Sequence, residues 1–162
     1  MGEPLAFLLT FRTYGTWLHG DERGSVDYEQ NAPDSPYLPA DPRRASVSRA
    51  RMCFRALALD APLRSIVEAA IIDECRFRGW ELIHCAVRTN HVHVVIAFAG
   101  VRPELMSGRL KARATRWLRE RGPVAADQPV WVDGPGSRRY LWREDEVAAA
   151  VAYAQEGQDA QH

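Results

Sequence analysis

Asn90-His91-Val92-His93 opens a β-branched run, Val94-Val95-Ile96, and its two histidines are the residues of this chain best placed to do chemistry. A strand turns alternate side chains to opposite faces. On that period His91, His93, Val95 and Ala97 share one face, while Val92, Val94, Ile96 and Phe98 share the other. The second set is bulky and apolar and is expected to face the core. The imidazoles then stand side by side on the opposite face, where they can hold one metal ion or serve as ordinary histidines of a half-buried sheet. Which of the two applies depends on what the rest of the chain brings to that face.

The elements that must position the pair can be read in order. Leu5 to Thr13 alternates as a strand with Phe7, Leu9 and Phe11 inward. Thr10 and Arg12 then share the histidine face if the two strands are neighbours. Asp60, Pro62 and Gly79 bracket a helix with an apolar stripe of Leu63, Ile66, Val67, Ala70 and Ile71, continued by Glu74. Trp80 to Val87 and the histidine strand form an antiparallel hairpin through Arg88-Thr89-Asn90. Pro103 opens a second helix that runs to about Arg121, before Gly122-Pro123. Ser137 to Trp142 reads as the last strand. Asp145 is the expected cap of a final helix through about Glu156, with a stripe of Val147, Ala150, Val151 and Ala154. Tyr153 falls about 110° from the centre of that stripe, at the edge of the buried face. The order is an α+β one, an antiparallel sheet with helices on one face, close to the split βαβ pattern.

Residues 1–162 suit one domain, with a loop insertion over 14–44 and a short tail at 159–162. Within the insertion, Tyr14-Gly15-Thr16-Trp17-Leu18 reads as an ordered loop whose aromatic rings can stack on unpaired bases or pack over the sheet edge. Residues 31–42 are proline-rich and irregular, and Ser46 is placed to cap a helix through about Leu57. The chain is 46% hydrophobic and 26% charged, with a formal net charge of zero, which gives no support to bulk electrostatic binding of nucleic acid. The charge is unevenly spread. Arginines cluster at 43–55 and again from Arg102 to Arg121, as solvated helix faces or as phosphate contacts. No apolar run is long enough for a membrane span and no signal peptide is evident, so a cytoplasmic protein without a membrane partner is expected. Cys53, Cys75 and Cys85 have neither metal-ligand spacing nor a disulfide framework, and are expected to be reduced and mostly buried.

Taken together, Asn90-His91-Val92-His93 at the end of a hairpin, Tyr153 on a C-terminal helix, and the opening strand followed by Tyr14-Gly15-Thr16-Trp17-Leu18 resemble the single-tyrosine HUH transposases. These are the insertion-sequence-200-like group that includes the REP-associated tyrosine transposases, and the resemblance runs from about Leu5 to Gln158. It implies a ferredoxin-like sheet and a metal-dependent transposase or single-strand endonuclease, nucleoid-associated, that cleaves and rejoins single-stranded DNA at hairpin-bearing sites. It implies Tyr153 as nucleophile and His91 and His93 as ligands of Mg²⁺ or Mn²⁺. In the family an amide four residues after the tyrosine completes the metal site. Here that position is Gly157, so Gln158 is the expected third ligand and Glu156 its competitor. Arg12, Tyr14, Trp17, Arg138 and Arg139 are the expected DNA contacts. Some relatives exchange the tyrosine helix in a homodimer and others act as monomers. A relative that binds hairpin DNA without cutting, and a metal-dependent phosphoesterase using the same histidines, are the alternatives.

Overall fold

The computed structural model describes residues 2–16 and 55–156. Trp17, Gln158, the proposed helix start at Ser46, most of the 14–44 insertion and the 159–162 tail lie outside the described residues. Four strands and three helices alternate as β1 (Ala6–Arg12), α1 (Ala61–Arg78), β2 (Leu82–Val87), β3 (His91–Ala97), α2 (Pro103–Arg121), β4 (Ser137–Leu141) and α3 (Glu144–Gln155). The sheet order is β2-β3-β1-β4 with every neighbouring pair antiparallel, an α+β arrangement compatible with the ferredoxin-like fold.

The alternation of β1 and β3 divides the molecule into two layers. Phe7, Leu9 and Phe11 lie opposite Ile96, Val94 and Val92, and residues directly opposite in a ladder share a face. That face carries the main core, closed by Leu63, Val67, Ala70 and Ile71 of α1 and Met106, Leu110, Ala114 and Leu118 of α2. Local chemistry starts and stops α1 as expected. The Asp60 side chain accepts from the Leu63 N–H at 3.1 Å, and Gly79 closes the helix in the left-handed region at φ +73°.

Helices α1 and α2 are also joined by charge. Buried Glu74 accepts from Arg78 Nε at 2.8 Å and from Arg113 Nε at 2.6 Å, and Arg113 pairs with Asp73 as well. Lys111 donates to the carbonyls of Val132 and Gly134, at 3.2 and 2.7 Å. Two cations of the 102–121 basic segment are therefore structural. Among the described cysteines, Cys75 and Cys85 are free thiols, and burial pushes them up to about 11 and about 12 respectively. No described helix is long and apolar enough to cross a membrane.

The third helix departs from the single helical layer read from the sequence. Its Val147, Ala150 and Val151 pack on Ala6, Leu8, Val95 and Leu141, a second apolar cluster on the histidine side of the sheet. The strands supply that cluster because only their distal halves are apolar on both faces. Its start is also one turn of chemistry different. The N-cap position is Arg143, and Glu146 Oε1 accepts from the backbone N–H groups of Trp142 and Arg143, each at 3.1 Å. Asp145 lies inside the first turn, where it favours the helix N-terminus by charge and pairs with Arg143.

The turn into β4 sets this arrangement against β1. Gly136 has φ +76°, and a Cβ there would collide with the Thr10 carbonyl oxygen. Gly136→Ala is expected to cost about 2–3 kcal/mol. Thermal unfolding should show it as a fall in Tm of roughly 5–10 °C.

Candidate active site

The site is built on the β1–β3 ladder. Arg12 lies opposite His91, Thr10 opposite His93, and Leu8 opposite Val95, so all six side chains share one face. On the other side of β3, Ala86 lies opposite His93 and leaves room beside the ring. Both histidines are buried, at 5% and 3% exposure, although they face away from the main core. What covers that face is the last turn of α3.

The two imidazole centroids are 4.8 Å apart with the rings edge to face. Each ring is oriented through Nδ1. His91 Nδ1 is 2.7 Å from Asn90 Oδ1, a carbonyl oxygen that can only accept, so Nδ1–H donates. His93 Nδ1 is hydrogen-bonded to Thr10 Oγ1 at 2.9 Å. His93 Nε2 is buried and has no hydrogen-bond partner among the described residues. A buried nitrogen left bare, with its ring held from the other side, is the arrangement of an imidazole offered to a cation. The burial that keeps water from His93 also lowers its pKa to about 4, assisted by the nearby charges of His91, Arg88 and Arg12. The ring is therefore neutral, the ligating form, across the physiological range.

Tyr153 completes the group. Its ring centroid is 5.2 Å from that of His93, edge to face, and the side chain is 45% exposed. Ala154, the next residue, is fully buried, and its carbonyl accepts from Arg88 Nη2 at 2.6 Å. Arg88 belongs to the turn between β2 and β3, where its N–H donates to the His91 carbonyl at 2.8 Å. One residue thus touches both the histidine hairpin and the tyrosine helix. Sequence reasoning passed over Arg88, because its partner is distant in the chain and no motif marks the contact. The role of Thr10 was half visible: alternation put it on the right face, but not in contact with His93.

The remaining expected site residues are distributed unevenly. Arg139 lies opposite Leu8, on the histidine face, and is exposed. Arg138 lies opposite Leu9 on the other face, where it pairs with Glu104 of α2. The period of a strand makes that separation unavoidable for adjacent residues. Tyr14 is half-buried, its backbone held by Val130 and Leu57 at 2.8 and 2.9 Å. Among the described residues no three His, Cys, Asp or Glu side chains gather at one point, so Glu156 does not close a ligand set with the histidines here. No protein-family model matches this chain, and no curated protein matches it either.

The lowered pKa of His93 has a consequence for stability. Above about pH 6.5 the ring is neutral in both the folded and the unfolded chain. As the pH falls from there toward 4, the unfolded chain takes up a proton that the folded chain refuses. Stability present at neutral pH is lost over that window, by up to about 3 kcal/mol. In an NMR titration the His93 ring signals should stay at their neutral positions down to about pH 4–5. His93→Gln should flatten the acid limb of a Tm-versus-pH curve.

Proposed function

We propose that this chain is a metal-dependent single-strand DNA transferase of the single-tyrosine HUH transposase type, with Tyr153 as nucleophile. The observation that carries the reading is the meeting of Tyr153 with His93, whose bare Nε2 has no partner among the described residues. Ordinary core histidines are satisfied on both nitrogens, and an edge tyrosine of a packed helix has no need to stand over an imidazole pair.

The residues present fit a divalent cation in part. His91 and His93 each bring a ring whose Nδ1 is already engaged. Gln158 is proposed as the third ligand, since Glu156 forms no group with the two histidines. A bound Mg²⁺ or Mn²⁺ would polarise the scissile phosphate and offset the charge that gathers on it during displacement. The chain's own part is to bring the Tyr153 oxygen to phosphorus. The new bond is from that oxygen to phosphorus, and the bond that breaks is from phosphorus to the 3′ oxygen. The phenolic proton is given up and the departing oxygen ends as a 3′-hydroxyl. The 5′-phosphotyrosine conserves the bond for rejoining to a second strand. Arg12, Tyr14 and Arg139 are proposed to guide the strand, and Trp17 to stack on an unpaired base. Arg138, committed to Glu104 on the far face, is left out of this set.

Incubation with Mn²⁺ and end-labelled single strands carrying hairpins should give a denaturant-resistant adduct with the fragment on the 3′ side of the cut. Tyr153→Phe and His91→Ala should each abolish the adduct, a loss of at least about a hundredfold. Retention of hairpin DNA on native gels with no adduct under any metal would identify a binding protein that kept the fold. Hydrolysis of small phosphoesters without DNA capture would identify a phosphoesterase.

A further inference from the structure

The turn between β2 and β3, Arg88-Thr89-Asn90, is held in place at every residue. The Arg88 N–H donates to the His91 carbonyl at 2.8 Å. The Thr89 carbonyl accepts from the Leu59 N–H at 2.6 Å, and the Asn90 carbonyl accepts from the Thr13 N–H at 3.0 Å. Leu59 and Thr13 are fully buried, so the turn is pinned to the body of the molecule from outside its own hairpin. Two side chains leave this turn toward the site. Asn90 orients His91 through Nδ1, and Arg88 Nη2 donates to the Ala154 carbonyl at 2.6 Å.

The far end of that second bond is the weak end of a helix. The last four carbonyls of an α-helix have no partner within it. In α3 the Ala152 carbonyl is met by the Glu156 N–H at 3.1 Å, and the last turn contains no basic residue of its own. Arg88 brings a cation to this negative end from a distant part of the chain, through a charge-assisted hydrogen bond. The apolar anchors of α3 on the sheet, Val147, Ala150 and Val151, all precede Tyr153. The place of the last turn is therefore set after those anchors, where Arg88 grips the residue next to Tyr153.

We propose that Arg88 is the positioning residue for Tyr153: it fastens the last turn of α3 to the same turn that orients His91. This rests on the reading of Tyr153 as nucleophile and adds the residue that fixes where the nucleophile stands. One short pinned segment then sets both the histidine pair and the phenol, and a misplacement of about 1 Å between reacting groups costs on the order of a hundredfold in rate. Arg88 acts in this role through the helix and not on the reacting atoms.

The test compares Arg88→Met and Arg88→Lys with the parent as full chains. Amide hydrogen exchange is followed across the protein, and the contact between the Tyr153 and His93 rings is followed by nuclear Overhauser effect. Adduct formation with Mn²⁺ and a hairpin-bearing single strand is timed in single turnovers at saturating strand. Affinity for that strand is measured separately in the Tyr153→Phe background. Arg88→Met should speed exchange in the last turn of α3 by roughly tenfold, weaken the ring contact, and leave β1, β3 and α1 protected as in the parent. Adduct formation should slow by about ten- to a hundredfold with strand affinity unchanged. Arg88→Lys, whose ammonium can also donate to a carbonyl, should recover much of the protection and part of the rate. The proposal is overturned if exchange in the last turn does not change. It is also overturned if exchange rises throughout the chain, which would make Arg88 a general support of the fold. A loss of rate matched by a loss of strand affinity would overturn it too, and would make Arg88 a DNA contact. If the parent forms no adduct, the transferase reading fails, and the exchange and ring-contact measurements still decide whether Arg88 sets the position of Tyr153.

Discussion

The register of β1 against β3 is the constraint on which the rest of this structure depends. It sets Thr10 opposite His93 and Arg12 opposite His91, and it sets Phe7, Leu9 and Phe11 opposite Ile96, Val94 and Val92. Because the side-chain period of a strand is two, a slip of β3 by one residue would turn the histidines into the main core and Val92, Val94 and Ile96 out of it. The hydrophobic layer under α1 and α2 therefore enforces the geometry of the polar face. The core and the site are two faces of one ladder, and neither can be altered in register without the other.

The polar face is unusual in being covered as well as polar. A sheet face that met only water would leave the histidines hydrated and their pKa values ordinary. Instead α3 lies on it, anchored through Val147, Ala150 and Val151 on a small apolar cluster at the far end of the strands. The helix reaches the histidines with its last turn, where Ala154 is buried and Tyr153 stands at the boundary. Burial of His93 follows from that cover, and its Nε2 has no hydrogen-bond partner among the described residues. The group is buried at His93 and meets the surface at Tyr153, which is 45% exposed.

The described cations named above stand in two places. Arg113 and Lys111 tie α1 to α2 and hold the loop before β4, with Glu74 and backbone carbonyls as their partners. Arg12 and Arg88 stand at the histidine pair, and Arg139 lies exposed on the same face.

Most of the fold was legible in the sequence, for local reasons. Alternation over Phe7 to Arg12 and His91 to Ala97, the Asp60 cap, and the glycine and proline stops define strands and helices within a few residues of one another. The facing of the histidines, Thr10 and Arg12 followed from the same period, and the position of Tyr153 at a helix edge followed from 3.6 residues per turn. Only the tertiary structure decided the layer that α3 joins, since an apolar stripe specifies that a helix is buried and not which surface buries it. The same holds for Arg138, Arg113 and Arg88, three similar arginines whose partners are Glu104, the Asp73 and Glu74 pair, and the Ala154 carbonyl. A guanidinium on a long, flexible stem takes its role from whatever the fold brings within reach, and that is settled by contacts between residues far apart in the chain.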